Sequence, residues 1–131
     1  MAFPTFARAN PDPDRRPGNA IAADVGKAID DTLDSEAGDN WDWFVLTPAQ
    51  GGTLAIVTRR AGTGDADLLL EAYLEGNFSE PAQRSDQDLQ GDSANESLIV
   101  NVKPGQRVHV RVSRVFSSGT ARYTLSSNLV P

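Results

Sequence analysis

Valine, isoleucine and leucine alternate with polar residues along several short stretches of this chain, each bounded by glycine, proline, asparagine or aspartate. A period of two sends successive side chains to opposite faces of a strand, so each stretch predicts a strand with one buried face. Residues 107–115 (RVHVRVSRV) are the clearest case: Val108, Val110 and Val112 point inward, and His109, Arg111 and Ser113 outward. Residues 96–102 (ESLIVNV) gather Leu98, Val100 and Val102 on one side. Residues 52–60 place Leu54 and Ile56 on one face, with Thr53, Ala55 and Val57 on the other. Residues 121–127 turn Tyr123 and Leu125 inward, and residues 28–33 predict an earlier short strand. Residues 41–47 (WDWFVLT) are aromatic and β-branched, and Pro48 ends them.

Two segments need arbitration. Residues 67–74 (DLLLEAYL) have a helical composition, but Gly62, Gly64 and Gly76 bound them closely, so a strand is expected. Residues 20–28 (AIAADVGKA) predict a short helical turn stopped at Gly26. The long polar stretch 76–95 is expected to hold one short strand near 85–89 between two loops. Roughly seven or eight strands, each with one buried face, imply an all-β fold: a two-sheet antiparallel β-sandwich with jelly-roll-like or Greek-key connections. Residues 10–19 (NPDPDRRPGN) carry three prolines and read as a linker. The expected division is an extended N-terminal arm over 1–19 and the sandwich domain over 20–131.

Composition narrows the function. The 131 residues are one domain's worth. A net charge of -6 speaks against a nucleic-acid binder, which needs a basic face. Zero cysteines exclude disulfides and thiolate chemistry, and one histidine excludes a multi-histidine zinc site within one chain. No apolar run approaches the ~18 residues that span a bilayer. Met1 to Ala9 (MAFPTFARA) is broken by Pro4 and carries no secretory signal.

The densest chemistry is acidic. Asp30, Asp31, Asp34, Glu36, Asp39, Asn40 and Asp42 fall within thirteen positions, and Asp12, Asp14 and Asn19 precede them. Calcium takes about six to eight hard oxygen ligands, which such a loop and arm would supply. The spacing is not that of an EF-hand. The alternative is a solvated acidic face that keeps the domain soluble. Asp65 and Asp67 read as turn residues that hydrogen-bond local backbone. Catalysis is not expected: there is no G-x-S-x-G elbow, and His109 sits mid-strand. Aromatic rings that grip polymers are the other candidates. Alternation in WDWFVL sets Trp41, Trp43 and Val45 against Asp42, Phe44 and Leu46, with Trp43 and Phe44 at or near the core. Trp41 and Phe116, the latter in the tip FSSG, are the candidate ligand-binding residues.

The segment N-W-D-W-F-V-L (Asn40 to Leu46) resembles the D-x-D-W-Y-x-F signature of the bacterial pre-peptidase C-terminal domain. Further landmarks follow in order: G-D-A-D-L-L-L from Gly64, S-D-Q-D-L-Q-G from Ser85 with N-E-S-L-I-V from Asn95, P-G-Q-R-V-H-V-R-V from Pro104, and A-R-Y-T-L from Ala121. P-G-N-A-I-A-A-D-V-G from Pro17 is similar to the family's opening motif. The resemblance implies a jelly-roll-like sandwich that serves as a non-catalytic accessory module of a secreted or periplasmic bacterial protein, often a peptidase. The related collagen-binding branch takes calcium through its acidic arm and the loop before the D-x-D-W strand. By position the implied calcium ligands are Asp14, Asn19, Asn40 and Asp42, with Asp39 nearby. Asn40 replaces the first aspartate of the pair, and Asp12 and Asp14 stand where that branch has a glutamate-rich run. Fewer charges imply weaker calcium binding. The groove tyrosines of that branch are absent from residues 107–115, so collagen binding does not carry over. The expected partner is an extracellular polymer, protein or polysaccharide, or the parent protein. The rival readings are a stand-alone carbohydrate-binding module and a structural or assembly subunit.

Overall fold

The computed structural model describes residues 17–34, 40–61, 68–74, 77–85, 95–114 and 120–131. The alternating stretches become nine strands: β1 (Ile21–Ala23), β2 (Ala28–Asp34), β3 (Trp41–Leu46), β4 (Gly52–Ala61), β5 (Leu68–Leu74), β6 (Gln83–Ser85), β7 (Glu96–Val102), β8 (Val108–Arg114) and β9 (Thr120–Val130). A five-stranded sheet runs β1-β3-β8-β5-β6, and a four-stranded sheet runs β2-β9-β4-β7. The antiparallel pairs are nested: β2 with β9, β3 with β8, β4 with β7, and β5 with β6. Nested pairs rolled into two facing sheets are the jelly-roll pattern, so the expected β-sandwich is the fold observed.

The arbitration at 67–74 comes out as strand β5. The helical turn expected over 20–28 is not there. A 3-10 turn covers Pro17–Asn19, and β1 then pairs in parallel with β3, Ile21 opposite Phe44. Packing overrides local propensity here, because Ile21, Ala23 and Val25 lie against the core. Gly26 adopts φ 88°, which suits glycine, and its N–H reaches the Ser127 carbonyl at 3.0 Å. Of the short strand expected near 85–89, the described residues show β6 over 83–85, and 86–94 are outside the described residues. The last strand runs beyond 127 to Val130, where it pairs with Thr53 of β4. Gly52 makes that close approach fit: a Cβ there would sit 2.3 Å from the Val130 carbonyl oxygen.

Between the sheets, Leu33, Phe44, Leu46, Leu54, Ile56, Leu70, Val108, Val110 and Val112 are almost wholly buried. Each such side chain contributes about 1.5–3 kcal/mol relative to exposure. Two fully buried carboxylates interrupt this apolar layer. Asp42 on β3 accepts a 2.5 Å hydrogen bond from the hydroxyl of Tyr123 on β9, across the sandwich. Glu96 on β7 accepts one from the Ser85 hydroxyl on β6 at 2.7 Å, and Ser85 Oγ also accepts from the Ser97 N–H at 3.3 Å. Each bond ties one sheet to the other, and a buried carboxylate without a donor would be costly. Phe44 packs edge-on to Tyr123, with ring centroids 6.4 Å apart.

Replacing Tyr123 by Phe keeps the ring and removes the donor. The variant should lose about 1–3 kcal/mol of stability and melt several degrees lower. Urea unfolding of both proteins checks this, and equal midpoints would mean the bond holds nothing.

Candidate binding face

Alternation that sends Val108, Val110 and Val112 of β8 into the core sends His109, Arg111 and Ser113 to the outer face of the five-stranded sheet. Register then builds rows across β3, β8 and β5: Trp41, Ser113 and Leu69; Trp43, Arg111 and Glu71; Val45, His109 and Tyr73. A sheet face turned from the core is normally polar and wet. This one is aromatic and largely covered, with Trp43 5%, Tyr73 4% and His109 8% exposed.

Phe78 provides cover. It comes from the β5–β6 connection, in a turn where Asn77 Oδ1 accepts hydrogen bonds from the Ser79 N–H at 3.2 Å and hydroxyl at 2.8 Å. The Asn77 N–H bonds to the Leu74 carbonyl, and the Ala82 N–H to the Ala72 carbonyl, which holds both ends of the turn against β5. The Phe78 ring stands edge-on to Trp43 at 5.8 Å and to His109 at 4.9 Å, and lies tilted at 6.1 Å from Tyr73. Trp43 and Tyr73 are themselves 5.2 Å apart. Such pairs contribute about 0.5–1.5 kcal/mol each beyond area burial. Phe78 keeps 41% of its surface exposed, and Trp41 keeps 36%.

Arg111 is the central charge. Its Nε and Nη2 donate to Glu71 Oε1 at 2.9 and 2.5 Å, and its guanidinium lies 5.5 Å from the Trp43 centroid and 5.9 Å from that of Tyr73. Burial pushes the Tyr73 phenol above the ordinary value of 10.0; the Arg111 charge opposes this and the Glu71 charge reinforces it. Alternation on the sequence points His109, Arg111 and Ser113 to this face, whereas Trp43, expected at or near the core, packs in the covered layer on its outer side. The Glu71 partnership depends on register between β5 and β8, which spacing along the chain does not reveal.

Of the expected calcium ligands, the described ones, Asn19, Asn40 and Asp42, lie on or beside the β1–β3 edge. Asp14 and Asp39 are outside the described residues, as are Phe116 and the Asp65–Asp67 turn. The parallel pairing of β1 brings the turn holding Asn19 beside β3, where Asn40 is half-buried. Asp42 points inward to Tyr123. Among the described residues no three Asp, Glu, His or Cys groups gather as a metal would require.

A phenol favoured as neutral in the folded state stabilises fully below pH 10.0, and that contribution fades as pH rises through its raised pKa. The phenolate absorbance of Tyr73, isolated as the difference between wild type and Tyr73→Phe, should therefore appear above pH 10.0. A normal midpoint would show the face to be open to water.

No protein-family model matches the chain, and comparison with curated protein sequences finds no match. Solved structures do match. The pre-peptidase C-terminal domain of a collagenase from Bacillus anthracis is 18% identical, with a TM-score of 0.65 over 83% of this chain and 94% of that one. PliG of Aeromonas hydrophila, a periplasmic inhibitor of g-type lysozyme, is 10% identical, with a TM-score of 0.51 over 85% of this chain and 99% of that one. A family 35 carbohydrate-binding module from Clostridium thermocellum is 17% identical, with a TM-score of 0.46 over 87% and 95%. Nested β-pairs, ordered motifs and structural likeness converge: the chain has the fold of the pre-peptidase C-terminal domain that its sequence resembles.

Proposed function

We propose that this chain is a non-catalytic binding module of an exported bacterial protein, and that the outer face of the five-stranded sheet engages an extracellular polymer. The observation that carries the reading is the aromatic cluster on a face the core does not need, with Phe78 and Trp41 still exposed. Exposed rings backed by a rigid second layer grip ligands at low entropic cost. The fold likeness supports the accessory role, since the collagenase counterpart is a C-terminal domain. A catalytic role lacks support: His109 is covered by Phe78, and Glu71 is engaged with Arg111.

Retention on insoluble collagen, cellulose, chitin and peptidoglycan tests the reading. At least one should retain the wild type, and Phe78→Ala and Trp41→Ala should each weaken retention about tenfold or more. Retention unaltered by both substitutions would move the site elsewhere, and no retention on any matrix would remove the polymer reading.

Calcium belongs to the proposal as a stabiliser of the β1–β3 edge, with Asp14, Asn19, Asp39 and Asn40 as its ligands. Asp42→Ala is a poor probe, because it also breaks the tie to Tyr123. Asp39→Asn is the better one. Calcium at about 100 times its dissociation constant should add about 2.7 kcal/mol, read as a melting rise of several degrees that Asp39→Asn removes. A melting temperature indifferent to millimolar calcium and to chelator would discard the metal.

A further inference from the structure

The outer side of β8 carries hydrogen-bond donors that find no acceptor among the described residues. A guanidinium has more N–H groups than one carboxylate oxygen can take. Glu71 Oε1 receives Nε and one N–H of Nη2, and the Arg111 side chain is 31% exposed. The remaining N–H groups have no acceptor among the described residues. They are framed by rings, Trp43 and Tyr73 beneath the guanidinium and Phe78 standing against both. A donor edge set among aromatic surfaces fits a group that pairs an acceptor oxygen with an apolar body.

Charge decides which acceptor. Glu71 offsets the guanidinium on the spot, and the whole chain carries -6. Neither the local pair nor the wider field favours a polyanion, whereas a neutral amide carbonyl meets no such repulsion. A polypeptide would bring an N–H for every carbonyl, and on this face Glu71 Oε1 already accepts two bonds from Arg111. An acetamido sugar brings a single amide per ring, leaves its hydroxyls in water, and offers its ring face and methyl group to aromatic side chains.

We infer that the face selects polymers of N-acetylated amino sugars, with Arg111 donating to the acetamido carbonyl beside Phe78. Glu71 is the positioning residue that fixes the guanidinium. This rests on the reading of the same face as a polymer-binding surface.

Titrating the isotope-labelled full chain with the N-acetylglucosamine hexamer and with cellohexaose, both neutral, tests the inference by NMR. The acetylated oligomer should bind about tenfold or more tightly than cellohexaose. Arg111→Lys keeps the charge but loses the planar donor edge, and should abolish that preference. Glu71→Gln should shrink the preference and leave cellohexaose affinity in place, whereas an equal loss for both oligomers would make Glu71 merely structural. Phe78→Ala should weaken both. Equal wild-type affinity for the two oligomers, or a preference that survives Arg111→Lys, overturns the acetamido assignment and leaves the wider polymer reading standing. Binding of neither oligomer also overturns it, and retention on the other matrices then decides the wider reading separately.

Discussion

Strand β8 serves two interiors at once, and the period of two makes this possible. Val108, Val110 and Val112 fill the space between the sheets. His109, Arg111 and Ser113, the residues between and after them, belong to the aromatic layer outside. A slip of one residue would drive a guanidinium into the core and turn valines outward, so register is fixed from both sides. The flanking strands obey the same constraint, Phe44 inside against Trp43 outside, and Ala72 inside against Tyr73 outside. Core and face are thus not separable parts: what stabilises one sets the geometry of the other.

The two buried carboxylates give the motifs a physical meaning. The aspartate of N-W-D-W and the tyrosine of A-R-Y-T-L are far apart in sequence and meet as Asp42 and Tyr123. The serine of S-D-Q-D-L-Q-G and the glutamate of N-E-S-L-I-V meet as Ser85 and Glu96. Buried carboxyl groups placed at two points between sheets favour one alignment, since another would separate them from their hydroxyl partners. The apolar layer supplies most of the driving force, and these bonds select the arrangement.

Much of this fold was legible because it rests on alternation. The strand faces of β4, β7 and β8 follow from period alone, and glycine spacing was enough to decide for a strand at β5. The segment Ile21–Ala23 was not legible, because its structure comes from pairing with β3 rather than from its own helix-friendly residues. Asp42 read as a metal ligand by type and neighbours, and its inward direction shows a second role that depends on Tyr123. The aromatic face was half legible. The outward direction of His109, Arg111 and Ser113 is visible in the alternation, but a turn from one connection settling Phe78 over three strands is a tertiary event.

The nested pairing also dictates an order of assembly. β5 and β6 are close in the chain, while β2 must find β9 across nearly its whole length. Closing a long loop costs entropy before any contact rewards it, so the innermost hairpin forms cheaply and each outer pair depends on the one within. Folding by this route is slow, in the millisecond-to-second range typical of all-β sandwiches. Until β2 arrives, the far side of β9 remains an open edge, and a neighbouring chain's β2 would fit it as well as its own. The jelly roll therefore carries a built-in route to strand exchange during refolding at high concentration.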